Sequence, residues 1–210
     1  MSESLAVSLT KQLIKIESTD PGTYEGALKD WIKNWFLSLE KHIVSNNSTL
    51  TGPLLRLSET EVLPGRYNFM AELPGTDPNL PALVWICHMD TVVVGNGWTL
   101  PPFRALEQDG RIYGRGACDM KSGLACCMSA LAHAFKQQIK NGKQPSRTLK
   151  LICTVDEEDF MRGAEQCICS GWVTSTDWIM DAEPTNGQIQ VAHKGRTWYE
   201  IEVSGHTAPM

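Results

Sequence analysis

Apolar residues recur along the first part of the chain at the spacing of an α-helix. Leu5, Leu9, Leu13 and Ile16 predict an opening amphipathic helix. A wider apolar face predicts a second helix, and its members are Leu28, Trp31, Ile32, Trp35, Phe36 and Leu39. A third pattern, of small and apolar residues, predicts a helix over residues 122–135.

Short apolar runs without a helical period predict β-strands between these helices. Residues 82–87 and 149–155 favour strands covered on both faces. Short strands are predicted at residues 54–57 and 67–73, and a shorter buried strand at residues 178–180. Because strands and helices alternate, we predict an α/β fold with a mostly parallel sheet. In such a sheet, ligands bind just past the carboxyl ends of the strands.

The pattern changes after residue 187. Thr197, Tyr199, Ile201 and Val203 alternate with their neighbours, which predicts a half-exposed strand. We therefore predict a first domain over residues 1–187 and the start of a second, smaller domain over 188–210.

Composition narrows the possible partners and the compartment. The 210 residues include 42% hydrophobic positions, enough for a packed core, and carry a net charge of −5. With no basic stripe, nucleic acid is not expected as a partner. The opening segment carries Lys11 and Lys15 and has no long apolar run, so neither a signal peptide nor a membrane span is expected. We predict a cytoplasmic protein. The seven cysteines form no CxxC pair, and we interpret them as small buried residues.

Polar residues of the metal-binding kind follow three predicted strands and one glycine-rich loop. They are His88, Asp90, Asp119, Asp156, Glu157, Glu158, Asp159, Asp181 and Glu183. In extended chain, residues two apart point the same way, so Asp90 could orient His88 for a metal. Carboxylates crowded at strand ends repel one another unless a cation compensates them. Histidine nitrogen with carboxylates suits zinc, cobalt or manganese, and a shared carboxylate could bridge two ions.

Each motif also has a simpler interpretation. Asp119 could cap the following helix, and the acidic run 156–159 could be a solvated turn. A phosphate loop over 116–122 is disfavoured because Met120 stands where such a loop requires glycine. A serine hydrolase is disfavoured because no Gly-x-Ser-x-Gly motif occurs.

Taken together, the motifs resemble those of the acetylornithine deacetylase/succinyl-diaminopimelate desuccinylase family of dinuclear zinc hydrolases. Aminoacylase and carboxypeptidase G are similar metallopeptidases. The segments that carry the resemblance are His88–Val92, Gly97–Trp98, Pro101–Phe103, Asp109–Lys121, Asp156–Glu158, Glu183–Thr185 and Gly205–Pro209.

The resemblance implies a role for each matching residue. His88 would bind one metal, Asp119 would bridge both, and Asp90 would orient His88. Glu158 would complete the shell of one metal and Glu183 that of the other.

Catalytic roles are implied in the same way. Glu157 matches the family's general base, and His206 matches a histidine that stabilises the oxyanion in the active site of a partner subunit. Asp181 is an alternative ligand, although the Glu-Pro-Thr pattern favours Glu183.

The resemblance also implies a fold, a reaction and an assembly. The expected fold is a three-layer α/β/α catalytic domain followed by an α+β lid or dimerisation domain. Two Zn²⁺ ions per complete subunit, or Co²⁺ or Mn²⁺, would activate water to cleave the amide bond of N-acyl amino acids or small peptides. Alternatives are a dipeptidase or carboxypeptidase of the same family, or a non-catalytic domain. A homodimer is expected for the full-length protein. Because family members carry a further histidine ligand near the end of a chain about twice as long, we expect this chain to be a fragment.

Overall fold

The chain forms a layered α/β structure, obtained as a computed structural model that describes residues 3–45 and 54–205. The helices in these ranges are α1 (Leu5–Ile14), α2 (Gly26–Ser45), α3 (Lys121–Asn141) and α4 (Arg162–Cys169). The strands are β1 (Thr19–Asp20), β2 (Arg56–Leu63), β3 (Arg66–Leu73), β4 (Leu83–His88), β5 (Thr91–Val92), β6 (Leu106–Gln108), β7 (Arg111–Tyr113), β8 (Leu149–Thr154) and β9 (Trp178–Asp181).

The central sheet has the strand order β2-β3-β8-β4-β9. β8, β4 and β9 run parallel, whereas β3 is antiparallel to both β2 and β8. Only Pro64 and Gly65 separate β2 from β3, and a connection this short can join only antiparallel strands. The predicted α/β class is confirmed, but the sheet is mixed. Its parallel part consists of β8, β4 and β9.

Helices cover both faces of this sheet, which gives the expected α/β/α layering. Cys87 and Cys153 point to a large core that they share with α1, α2 and α3. Val84 and Ile152, which alternate with them, point to a smaller core completed by Cys167 of α4. The period-two alternation of side chains along β4 and β8 therefore divides one sheet between two cores.

Three of the predicted elements differ from the structure. β2 begins at Arg56 and not at residue 54, because its register is set by pairing with β3. β9 is exposed along its whole length and not buried, since it lies at the sheet edge with β4 as its neighbour. The strand predicted over residues 197–203 does not form in the described part of the chain. A strand requires a hydrogen-bonded partner, and the exposed segment 188–205 pairs with no described strand.

The cysteines divide into two groups. Cys87, Cys127, Cys153 and Cys167 are buried, as predicted, whereas the other three are exposed: Cys118, Cys126 and Cys169. Burial in an apolar core raises the pKa of the Cys153 thiol, which keeps it protonated. Within residues 3–45 and 54–205, no helix combines the length and apolar character needed to cross a bilayer.

Candidate metal centre

The three parallel strands end at the same edge of the sheet, and their following residues converge there. In the β4–β8 register His88 lies opposite Thr154, and in the β4–β9 register Ile86 lies opposite Asp181. The residues just past β4, β8 and β9 are therefore neighbours, as expected for the carboxyl ends of parallel strands.

His88 is at the centre of this edge and is 2% exposed. Its Nδ1 lies 2.9 Å from the main-chain oxygen of Asp90, which can only accept a hydrogen bond, so Nδ1 carries a proton. Its Nε2 lies 3.0 Å from Oδ1 of Asp119 and 3.4 Å from Oε1 of Glu183. A fixed Nδ1–H directs the other ring nitrogen toward the two carboxylates, which is the usual arrangement of a metal-binding histidine.

The ligand atoms of His88, Asp119 and Glu183 all lie within 4.8 Å of one another. One nitrogen and two carboxylate oxygens at this separation suit a single divalent ion with a position left for water or substrate. Asp119 reaches the site from the glycine-rich loop before α3. It does not cap that helix, because the N-cap position is Met120 and has no side-chain cap hydrogen bond.

The side chains at this edge of the sheet carry an excess of negative charge. Burial alone would lower the pKa of His88, but hydrogen bonds to Asp119 and Glu183 and the nearby charge of Asp90 raise it to about 11. The hydrogen bond from His88 in turn lowers the pKa of Asp119. The carboxylates thus require positive charge at Nε2 of His88, and a divalent ion can replace the proton there.

Asp90 connects two of the strand ends. Its Oδ2 accepts a hydrogen bond from the main-chain nitrogen of Glu158 at 2.9 Å, whereas its Oδ1 lies 3.7 Å from Nδ1 of His88 and has no hydrogen-bond partner among the described residues. His88 Nδ1–H therefore donates to the main-chain oxygen of Asp90 and not to its carboxylate. The carboxylate contributes charge next to the ring and links β4 to the turn after β8.

The acids of the turn after β8 lie in different environments. Oε2 of Glu157 is 3.9 Å from Nε2 of His88, and burial followed by the charges of Glu183 and Asp90 raises the pKa of Glu157. Glu158 lines a cavity of about 200 Å³ together with Asp119, and burial followed by the charge of Asp119 raises its pKa. Glu158 therefore lies beside Asp119 but outside the group formed by His88, Asp119 and Glu183.

The remaining candidates are Asp181 and His206. Asp181 ends the exposed strand β9 and is outside the three-ligand group; desolvation of its carboxyl group by the atoms around it and the charge of Glu183 raise its pKa to about 6. His206 lies outside the described residues.

Arg66 is a structural residue of this region that the sequence did not reveal. Asp20, Glu25 and Asp90 form a second group of close carboxylates. The Arg66 guanidinium donates to Glu25 at 2.9 Å, to Asp20 at 2.6 Å and to Asp156 at 3.3 Å. This cation already compensates Asp20 and Glu25 of the second group. A single arginine in a strand carries no local signal of such a role.

The chain is similar to known proteins in sequence and in fold. Residues 84–210 match the model of peptidase family M20/M25/M40. A probable succinyl-diaminopimelate desuccinylase of Staphylococcus aureus is 37% identical over 142 residues, which are 67% of this chain and 33% of that protein. The acetylornithine deacetylase of Proteus mirabilis is 29% identical over 208 residues, or 96% of this chain and 48% of that protein.

Solved structures share the fold. The crystal structure of human carnosine dipeptidase 1 has a TM-score of 0.60 and 19% identity over 84% of this chain and 38% of that one. The chain spans about a third to a half of the length of these curated relatives.

Proposed function

Because the chain belongs to the M20/M25/M40 family of peptidases, we propose that it carries the metal site of a hydrolase that cleaves amide bonds of N-acyl amino acids or small peptides. The convergence of His88, Asp119 and Glu183 beside Glu157 is the observation that carries the proposal. The desuccinylase and deacetylase relatives favour a deacylase. A dipeptidase or carboxypeptidase is the second candidate, favoured by the structural likeness to a dipeptidase.

The positions of the side chains support a ligand assignment. His88, Asp119 and Glu183 would hold one ion, and Asp119 together with Glu158 would hold a second, as the resemblance implies. A bound divalent ion supplies Lewis-acid polarisation of the scissile carbonyl and makes the attacking water more acidic. Zinc suits the nitrogen and oxygen ligands, and cobalt or manganese could replace it.

Glu157 is the residue proposed to move protons. Its Oε2 lies 3.9 Å from Nε2 of His88, which is within reach of a water at the same centre. A carboxylate within hydrogen-bond reach of such a water can accept its proton. Oε of Glu157 would take the proton of the attacking water and then deliver it to the leaving amine nitrogen. Asp90 would keep the His88 ring and the Glu158 main chain in place.

Further parts of the proposal rest on the resemblance. Residues 188–210 would begin a lid or dimerisation domain, and His206 would stabilise the oxyanion in a partner subunit of a cytoplasmic homodimer. Sedimentation and cell fractionation of the full-length protein test the assembly and the compartment.

Metal analysis combined with a substrate panel tests the central proposal. The full-length protein, dialysed against zinc and analysed by plasma mass spectrometry, should retain two ions per chain. It should hydrolyse either N-acetyl and N-succinyl amino acids or simple dipeptides, and the preferred group separates the two candidates. Fewer than one ion per chain would favour the alternative of a non-catalytic domain.

A further inference from the structure

Arg196, from the exposed segment after β9, is bound to the main chain of the acidic turn 157–159. One guanidinium nitrogen, Nη2, donates to the main-chain oxygens of Glu157 and Asp159, at 3.3 and 2.9 Å. The indole Nε1 of Trp198 donates to the same Asp159 oxygen at 3.2 Å. Three hydrogen bonds from two residues therefore converge on two carbonyl groups of the turn.

The two donors also support each other. The Arg196 guanidinium lies over the Trp198 ring, 4.9 Å from its centroid. This cation–π contact restricts both side chains in the geometry that their hydrogen bonds require. In an extended segment, residues two apart project to the same side, so Arg196 and Trp198 can reach the turn together.

The bonded carbonyls lie on either side of Glu158. Each carbonyl belongs to a planar peptide unit. A hydrogen bond that fixes the direction of the carbonyl therefore also fixes the plane of the peptide unit that joins its residue to the next one. Fixing the planes after Glu157 and Asp159 limits the directions available to the side chains of Glu157 and Glu158. These are the proposed proton carrier and the proposed ligand of the second ion.

Other groups hold the remaining parts of the same turn. Asp90 accepts a hydrogen bond from the Glu158 main-chain nitrogen. Asp156, whose φ of 67° is unfavourable for a residue with a side chain, is held by Arg66 and by Arg162. These contacts come from the core of the α/β layer. The contacts of Arg196 and Trp198 come instead from the segment that we propose to begin a second domain.

We propose that Arg196 and Trp198 are positioning residues that hold the acidic turn and so couple the segment 188–205 to the metal centre. The proposal rests on the function proposed above for Glu157 and Glu158. Trp198 also lines a cavity of about 450 Å³ together with Glu158, Tyr24 and Arg162. A displacement of this segment would therefore change both the freedom of the turn and one wall of the space beside Glu158.

Hydrogen exchange and metal titration of Arg196→Ala in the full-length protein test the coupling. In the metal-free protein, exchange in a peptide covering residues 157–162 should become several-fold faster, because the turn opens more often. The dissociation constant of one of the two zinc ions should rise roughly tenfold, as for other losses of residues that orient ligands. Arg196→Lys should show smaller increases in both the exchange rate and the dissociation constant. Lys194→Ala, in the same exposed segment, should leave both quantities at the wild-type values.

The outcomes separate this inference from the proposed function. Unchanged exchange in Arg196→Ala overturns the positioning role, and faster exchange with unchanged zinc affinities overturns the coupling to the metal centre. If the wild-type protein retains no metal, the proposed function fails and the coupling fails with it, whereas the exchange measurement still decides whether Arg196 holds the turn.

Discussion

Nε2 of His88 lies 3.0 Å from Oδ1 of Asp119, although 31 positions separate the two residues in the chain. His88 ends β4, whereas Asp119 lies in the loop that leads into α3. The contact exists because β4 ends, and α3 begins, at the same edge of the sheet. It brings an imidazole nitrogen and a carboxylate oxygen together at the place where the family's metal chemistry is expected.

Asp119→Asn should remove most of the stabilisation that we expect zinc to give to the folded protein. A ligand present at about 100 times its dissociation constant stabilises the native state by roughly 2.7 kcal/mol. The amide of asparagine keeps the shape of the side chain but not its charge, so this gain should largely disappear. Urea unfolding with zinc and with a chelator measures the difference. Asp109→Asn, an exposed acid between β6 and β7, is the matched control; full zinc stabilisation in Asp119→Asn would contradict the assignment.

Glu157→Gln in the full-length protein should reduce turnover by roughly 10²- to 10⁴-fold, the usual effect of losing a general base. Its metal content should stay at the wild-type level, since Glu157 is outside the group of His88, Asp119 and Glu183. Steady-state kinetics and plasma mass spectrometry on the same preparation check both expectations. Glu165→Gln, an exposed residue of α4, is the control. Near-normal turnover of the Glu157 variant would rule out its role.

Gly123→Ala should lower both stability and metal affinity. A Cβ at Gly123 would collide with the main-chain oxygen of Ala182, the residue just before Glu183. Overpacking of this kind typically costs about 1–3 kcal/mol and would shift Glu183. Thermal unfolding and zinc titration measure the two effects. Gly26→Ala is the control, because a Cβ there meets nothing within 4 Å, and the change should be neutral or slightly stabilising.

Arg66→Met should lower the free energy of unfolding by about 3–5 kcal/mol, the usual range for breaking a buried ion pair. Removal of the Arg66 guanidinium leaves Glu25 and Asp156 buried without the cation that they share. Arg56→Met is the control, since the Arg56 side chain is 72% exposed and its pair with Glu72 should contribute little. Urea unfolding at neutral pH compares the variants. Equal losses in both would show that Arg66 does not act through the buried acids.

Asp177→Asn should destabilise the protein at neutral pH by about 1 kcal/mol, the usual net value of such hydrogen bonds. The Asp177 carboxylate accepts bonds from the main-chain nitrogens of Ala82 and Thr174, each at 2.9 Å. Burial acts to raise its pKa, but these hydrogen bonds outweigh burial, and the pKa is lowered.

A lowered pKa in the folded state fixes the direction of the pH effect for Asp177. The stabilisation is fully present above the pKa of the unfolded chain, about 4, and is lost as the pH falls through the lower folded value. The difference between wild type and Asp177→Asn should therefore shrink between pH 4 and strongly acidic pH. Urea unfolding at a series of pH values measures it, and a constant difference would contradict the role of the charge.

The residues of the candidate metal centre could be singled out from the sequence because each belongs to a local motif. His88, Asp119 and Glu183 each follow a predicted strand or a glycine-rich loop, and the edge of an α/β sheet brings such positions together. The acids of 156–159 looked alike in sequence. Packing then separated them, since Asp156 is buried against two arginines whereas Glu157 faces His88.

Long-range pairing could not be predicted in the same way. The length of β2 depends on its register with β3, and the exposure of β9 depends on its position at the sheet edge. The alternation over residues 197–203 is typical of a strand, but a strand also requires a partner, and no described segment pairs with it.

By itself, the sequence determined the α/β class, the helices and buried strands, and the chemical type of the site, because these depend on periodicity and on the kinds of side chains present. Only the tertiary structure decided that Arg66 neutralises the buried acids, that the Asp90 main chain orients His88, and that Arg196 reaches the turn beside Glu158. The ion pairs of Arg66 join side chains that are at least 41 positions apart in the chain, and the other two contacts involve main-chain atoms. Main-chain atoms are the same in every residue, so their contacts leave no mark in the order of side chains.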